Sequence, residues 1–213
     1  MTQPTDILGK ITLYNADCMD IIRQFKDKEF EIAIIDPPYG IDAAKMNMGK
    51  GVKGWERGKD WDMAKPDKTY FEELFRISKN QIIWGGNYFC DNLPISRGWI
   101  FWDKYNGDGF SFSDGELAWT SFDTVLKKTK NKYKDRTTKI HPTQKPVDLY
   151  KWLLINFAKQ GDRILDTHFG SLSIGIACYD LEFELTAIEL DKDYYEAGKR
   201  RLIDHQKQLS IFN

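Results

Sequence analysis

Cysteine is scarce. Cys18, Cys90 and Cys178 are the three in 213 residues. They lie far apart with no paired spacing, which argues against a disulfide framework or a zinc site and fits a reducing cytosol. Long apolar runs are missing as well. None approaches the roughly twenty residues that cross a bilayer, so no membrane span is expected. Residues 1–10 lack the charged-then-apolar pattern of a secretory signal. Neither sign of charge is in excess: 31 basic against 32 acidic side chains leave a net charge of −1. Contact with a polyanion would therefore rest on local basic patches. There is no internal repeat and no low-complexity tract. The length suits one α/β domain, residues 1–213, with a sizeable core.

Aromatic side chains, by contrast, are plentiful at 14%, with seven Trp. The most informative stretch is Ile32-Ala33-Ile34-Ile35-Asp36-Pro37-Pro38-Tyr39-Gly40. Its apolar, mostly β-branched start reads as a buried parallel strand. The prolines stop it, because Pro lacks an N–H and pushes the preceding residue toward extended backbone. A stiff tip results, just past the carboxyl end of a central strand, where open α/β sheets bind ligands. It carries a carboxylate, carbonyls and a ring. An exocyclic amine on a nucleobase is a poor nucleophile because its lone pair is delocalised. A carboxylate and a carbonyl that each accept one of its N–H groups stabilise the positive charge developing on the nitrogen. The Tyr39 ring offers a face for a base taken out of the stack.

Along the chain, residues 11–14 read as a strand and residues 19–25 as a helix that Asp17 can cap. Residues 43–66 have no clear period and interleave Lys45, Lys53 and Arg57 with Trp55 and Trp61. Such a loop is either a solvated surface or a contact for phosphates and unstacked bases. Residues 67–78 read as a helix, 81–84 as a strand, and Asn87 as a cap for a short helix. Residues 98–102 and 116–120 read as an antiparallel hairpin at the far edge of the sheet, turned at residues 106–109. Residues 127–139 hold Lys128, Lys130, Lys132, Lys134 and Arg136 against one acid, Asp135. Charge runs are usually solvated faces, and here phosphate contact is the favoured alternative.

His141-Pro142-Thr143-Gln144-Lys145-Pro146 leads into a helix over 147–157. Residues 161–166 form a turn and strand, and residues 167–171 open a helix near 172–179. Residues 184–189 form the next strand. Strand, glycine turn and helix N-terminus make a pocket with inward N–H groups, and Glu189 lies where an acid can accept from both ribose hydroxyls. Residues 191–207 read as a charged amphipathic helix.

Asp36-Pro37-Pro38-Tyr39 resembles the catalytic motif of amino-group DNA methyltransferases that use S-adenosylmethionine. The order of motifs, catalytic tetrapeptide first and glycine turn last, resembles the circularly permuted β-class of that family, over most of the chain. The resemblance implies a Rossmann-like α/β fold with a seven-stranded, mostly parallel sheet closed by an antiparallel hairpin. It implies cofactor contacts from Asp17 and Cys18 at the adenosine, and from His141, Thr143, Gln144 and Lys145 at the methionine end. Asp36, Asp166, Thr167, Phe169, Gly170, Ser171, Glu189 and Leu190 complete that set. Target recognition falls to small segments at about 41–65 and 122–140.

The implied reaction is transfer of a methyl group from S-adenosylmethionine to N6 of a flipped adenine in double-stranded DNA. It needs neither metal nor covalent enzyme intermediate, so no cysteine need be a nucleophile. Cytosine-N4 is the alternative base, and Asp36 in place of Ser leans to adenine. A non-catalytic DNA-binding module on the same fold is the alternative from another class. The commoner glycine turn is Asp-Pro-Phe-x-Gly-Ser-Gly; here Asp166-Thr167-His168-Phe169-Gly170-Ser171-Leu172 puts Leu172 where a small residue is usual, beside the expected cofactor. Family habit makes a homodimer an expectation, and a bacterial or phage cytoplasm the setting, with or without a restriction partner. Gln208-Leu209-Ser210-Ile211-Phe212 resembles a sliding-clamp docking peptide, or is simply a helix end folded onto the core.

Overall fold

A computed structural model describes residues 2–41, 65–104, 113–131 and 139–210, apart from the side chains of Leu209 and Ser210. The elements run β1 (Asp6–Leu8), β2 (Ile11–Asn15), α1 (Cys18–Ile22), β3 (Phe30–Ile35), α2 (Lys68–Ile77), β4 (Ser78–Trp84), β5 (Trp99–Asp103), β6 (Gly115–Thr120), β7 (Lys127–Lys130), α3 (Val147–Phe157), β8 (Arg163–Asp166), α4 (Ser173–Asp180), β9 (Glu184–Glu189) and α5 (Lys192–Ser210). The strands form a sheet in the order β1-β2-β9-β8-β3-β4-β6-β5-β7. From β2 to β4 every pairing is parallel, and β6 turns the sheet antiparallel against β4 and β5.

The seven expected strands are there, and a further short strand lies on either side. β1 pairs antiparallel with β2, and β7 pairs parallel with β5. The hairpin is therefore not the outermost layer: β7, from the basic stretch, covers it. Both extra strands are short; β1 (Asp-Ile-Leu) buries no residue fully and the polar β7 buries Thr129 alone, so neither shows the apolar alternation that marks a half-buried strand.

Strand residues alternate between two cores, as their period of two requires. On β3, Ile32 and Ile34 join one core while Ala33 and Ile35 join the other. The first core is covered by α3, α4 and α5 through residues such as Leu153, Ile174 and Leu202. The second is covered by α1 and α2 through Ile22, Phe71 and Leu74. Asp17 caps α1 as expected, accepting from Met19 N at 2.8 Å; Asp67, read as the first residue of the next helix, is its cap instead and accepts from Tyr70 N at 3.0 Å. Asn87, expected to cap a helix, lies inside a 3-10 turn, Gly86–Tyr88, that Gly85 opens with φ +67°. Gln208 belongs to the last turn of α5. The expected hairpin turn at 106–109 and residues 211–213 lie outside the described residues. Among the described residues no helix is long and apolar enough to cross a membrane.

β3 and β8 are neighbours although the chain reaches β8 last but one, so the strand order reverses between them. A crevice opens outside the carboxyl ends of strands at such a switch point. Asp36 follows β3 there, and Asp166 ends β8.

Candidate active site

A cavity of about 500 Å³ occupies that crevice. Its wall takes in Asp17, Cys18, Asp36, His141, Thr143, Gln144, Lys145, Thr167, Phe169, Gly170, Ser171, Glu189 and Leu190 from the sequence reading, together with Pro38. Asp166, buried at the end of β8, lies behind this wall. Five wall residues were not singled out by the sequence: Ala16, Tyr150, His168, which lies within the glycine-turn motif, Asp191 and Tyr194. Tyr150 and Tyr194 come from the first turns of α3 and α5, and only the fold brings them to the crevice.

The glycine turn is shaped by two left-handed residues, Gly170 at φ +50° and Leu172 at φ +53°. Gly170 N donates to Glu189 Oε2 at 2.8 Å, and Asp191 N donates to Oε1 at 2.9 Å. Each carboxylate oxygen has a second lone pair, so Glu189 is fixed by the backbone and can still accept from a hydroxyl. The His141 ring packs edge-on to Tyr194 at 4.3 Å between centroids, and a Cβ on Gly170 would stand 3.4 Å from it. Gln144 Oε1 accepts from Ile140 N at 2.9 Å, which ties the His141 segment down.

Leu172 is absent from the cavity wall. Its side chain is fully buried and points the other way, toward Gly175 and Gly198: a Cβ on Gly175 would come within 2.7 Å of Leu172 Cγ, and one on Gly198 within 3.1 Å of its Cβ. The departure from the usual turn thus costs backbone strain, roughly 1–2 kcal/mol for a left-handed non-glycine residue, without narrowing the crevice.

Asp36 is held from both sides. Oδ1 accepts from the Tyr39 hydroxyl at 2.6 Å and Oδ2 from Lys145 Nζ at 2.5 Å. Lys145, 1% exposed at its side chain, also lies 3.0 Å from Glu116 Oε2. Burial raises the Asp36 carboxyl, against the pull of Lys145. Burial would lower Lys145, but Asp36 and Glu116 outweigh it and keep the ammonium charged. Burial would likewise raise Glu116; Lys145 and Lys104 overcome that and hold it at about 2. Glu116 escaped the sequence reading because its partner lies twenty-nine residues on, with no motif linking them.

Tyr39 does not line the cavity. Its ring stacks on Tyr88 with centroids 5.0 Å apart and 16° between planes, and meets Phe89 edge-on. Gly85 makes room: a Cβ there would fall 2.3 Å from the Tyr39 ring.

Burial also shifts groups in and just behind the wall. Burial pushes Asp166 up to about 8, although it accepts from His168 N at 3.0 Å. Burial pushes His168 down to about 4 and the Cys18 thiol, 3.9 Å from its ring, up to about 12. A protonated thiol is a poor nucleophile. Among the described residues no group of His, Cys, Asp or Glu could hold a metal ion. Of the expected DNA-contacting residues, Lys128 and Lys130 lie exposed on β7. Lys130 pairs in register with Asp103, at the carboxyl edge where Asp36 sits, and Lys128 bonds Asp103 at 3.0 Å. Lys45, Lys53, Arg57, Lys132, Lys134 and Arg136 lie outside the described residues.

The comparison with known proteins points the same way. The pattern of the family N6_N4_Mtase, described as DNA methylase, matches residues 64–200. The type II methyltransferase M2.DpnII of Streptococcus pneumoniae is 25% identical over 255 aligned positions, covering 95% of this chain and 93% of its own length. M2.MboI of Moraxella bovis is 21% identical, covering 89% and 86%. Among solved structures, the M1.HpyAVI–SAM complex superimposes with a TM-score of 0.63 at 22% identity, over 90% of this chain and 100% of that one. The cytosine-N4-specific PvuII DNA methyltransferase does so with a TM-score of 0.66 at 12% identity, over 100% and 94%. The strand order matches a circularly permuted Rossmann-like methyltransferase fold. With a family pattern spanning more than half its length, this chain belongs to the amino-group DNA methylases, the family that acts on adenine-N6 or cytosine-N4.

Proposed function

We propose that the chain transfers a methyl group from S-adenosylmethionine to the N6 amine of an adenine flipped out of duplex DNA. The observation that carries this reading is Asp36, a largely buried carboxylate in the wall of a cofactor-sized cavity at the switch point of the sheet.

The residues present fit the cofactor. The cavity is within the usual range for a small-molecule site. Glu189, fixed by two backbone amides, suits a ribose diol; Asp17 and Cys18 suit the adenine end; the His141–Lys145 segment suits the amino-acid end. Bound there, the cofactor supplies a methyl group on an electrophilic sulfonium.

The chain's own residues then act on the amine. Asp36 accepts one N–H and the Pro37 carbonyl the other, so that charge developing on nitrogen is stabilised by groups already in place. Pro37 and Pro38 keep this tip free of competing amide donors. The Tyr39 ring, backed by Tyr88, receives the base. Exposed lysines of β7 at the same sheet edge suit backbone phosphates. Asp at position 36 favours adenine over cytosine.

Incubation with tritiated S-adenosylmethionine and unmethylated genomic DNA, followed by nucleoside analysis, tests the reading. Label in N6-methyladenine is the expected result. Label in N4-methylcytosine would keep the chemistry and change the base, and no label with cofactor bound would favour the non-catalytic module.

A further inference from the structure

Charges of alternating sign form a chain at the carboxyl edge of the sheet: Lys104, Glu116, Lys145, Asp36. Lys104 follows β5 and Glu116 stands near the start of β6, so the hairpin carries both to the end of β3. Glu116 Oε1 takes Lys104 at 2.6 Å, its Oε2 lies 3.0 Å from Lys145 Nζ, and that ammonium is 2.5 Å from Asp36 Oδ2. The Trp84 ring lies 5.2 Å from the same nitrogen. Two carboxylates and an indole face thus surround an ammonium with three N–H donors.

Both oxygens of Asp36 are already engaged, by Tyr39 and by Lys145. An incoming amine must use the second lone pair of one of these oxygens beside its present donor, or displace that donor. Lys145 cannot simply let go, because a buried ammonium without a counter-charge is strongly disfavoured. Glu116 is the counter-charge within reach. It does not line the cavity, so it acts through Lys145.

We infer that Glu116 is a positioning residue that shares the Lys145 ammonium with Asp36 and takes the larger share when a target amine donates to Asp36. The inference rests on the methyltransferase reading above. Lys145 stays an ammonium throughout. No covalent bond changes and no proton is transferred; the ammonium shifts its weight from one carboxylate to the other.

The decisive measurement is the titration of Asp36 by carbon-13 NMR of carboxyl-labelled aspartate, with Asp36→Asn identifying the signal. Glu116→Gln should lower the Asp36 midpoint by about one pH unit, since Lys145 is then no longer shared. In a Lys145→Met background the same change should move it far less. Equal shifts in both backgrounds would mean that Glu116 acts by direct repulsion alone, and the inference falls. Turnover supplies the second arm. Glu116→Gln should lower kcat about tenfold or more with KM for DNA and cofactor affinity unchanged, and Glu116→Asp should retain more activity than Glu116→Gln. The reverse order, which side-chain shape alone would give, overturns the inference. If the wild-type chain transfers no methyl group yet the titration shift depends on Lys145, the shared ammonium stands and the methyltransferase reading fails.

Discussion

The Lys145 ammonium lies 2.5 Å from the Asp36 carboxylate, and the lysine side chain is 1% exposed. This contact joins two segments 109 residues apart in sequence, the tip after β3 and the approach to α3. Removing one partner of such a pair strands the other in a dry environment, at roughly 3–5 kcal/mol. Lys145→Met should therefore cost about that much stability at pH 8, and less at pH 5, where Asp36 can take up a proton. Asp36→Asn should cost less at pH 8, because Glu116 still neutralises the lysine, while removing turnover. Urea unfolding at the two pH values checks the ranking; equal losses for both variants would contradict it.

Gly85 sits at φ +67° with the Tyr39 ring against its α-carbon. Gly85→Ala adds a left-handed strain of about 1–2 kcal/mol and drives Tyr39 off Asp36. The expected outcome is a lower melting temperature together with a loss of kcat greater than that of Tyr39→Phe, which keeps the ring in place. Circular dichroism melts and steady-state turnover of the two variants measure both parts.

Asp166 holds its proton up to about pH 8 in the folded chain, whereas an unfolded Asp releases it near 3.9. Between those values the folded state binds the extra proton, so this group's contribution to stability falls as pH rises. Asp166→Asn keeps an acceptor for His168 N and has nothing to ionise. The melting temperature of the variant relative to wild type should climb from pH 5 to pH 8 and level off above. A flat difference would show that Asp166 is ionised throughout.

Glu189 receives two backbone amides on separate oxygens. In Glu189→Gln a carboxamide N–H₂ must face one of them. Loss of charge-assisted bonds of roughly 1.5–3 kcal/mol predicts S-adenosylmethionine binding weaker by about 10–100-fold, with Asp36 chemistry intact at saturating cofactor. Titration calorimetry gives the first quantity and kcat the second.

The tail at 208–213 is proposed as a clamp-docking peptide. Its deletion should leave methylation of short duplexes unchanged and abolish capture of the protein by a sliding clamp. Unchanged capture would overturn the docking assignment.

Legibility in the sequence followed burial. β2, β3, β4, β8 and β9 are interior strands, each marked by a short apolar stretch between polar or turn residues, and the cap at Asp17 follows from a short polar side chain before a helix. β1 and β7 were hidden because an edge strand of three or four residues needs little apolar surface. Much of the site was readable because its residues sit in compact motifs: the tip after β3, the His141 segment and the turn after β8. What stayed hidden depends on distant pieces of chain meeting. Tyr150 and Tyr194 reach the crevice from separate helices, and Glu116 matters through a lysine in another segment. Leu172 shows the same limit from the other side. Its neighbours in sequence place it by the cofactor, and its backbone angle turns it into the core.

The lysines of β7 bear on how copies of this chain can meet. An exposed strand edge is a template for another strand. Two copies joined here, edge to edge, would set Lys127, Lys128 and Lys130 against their own counterparts, and like charges directly opposed destabilise a strand pair. Among the described residues, β7 is the last strand on this side of the sheet, and edge-to-edge pairing of two copies along it is thereby disfavoured.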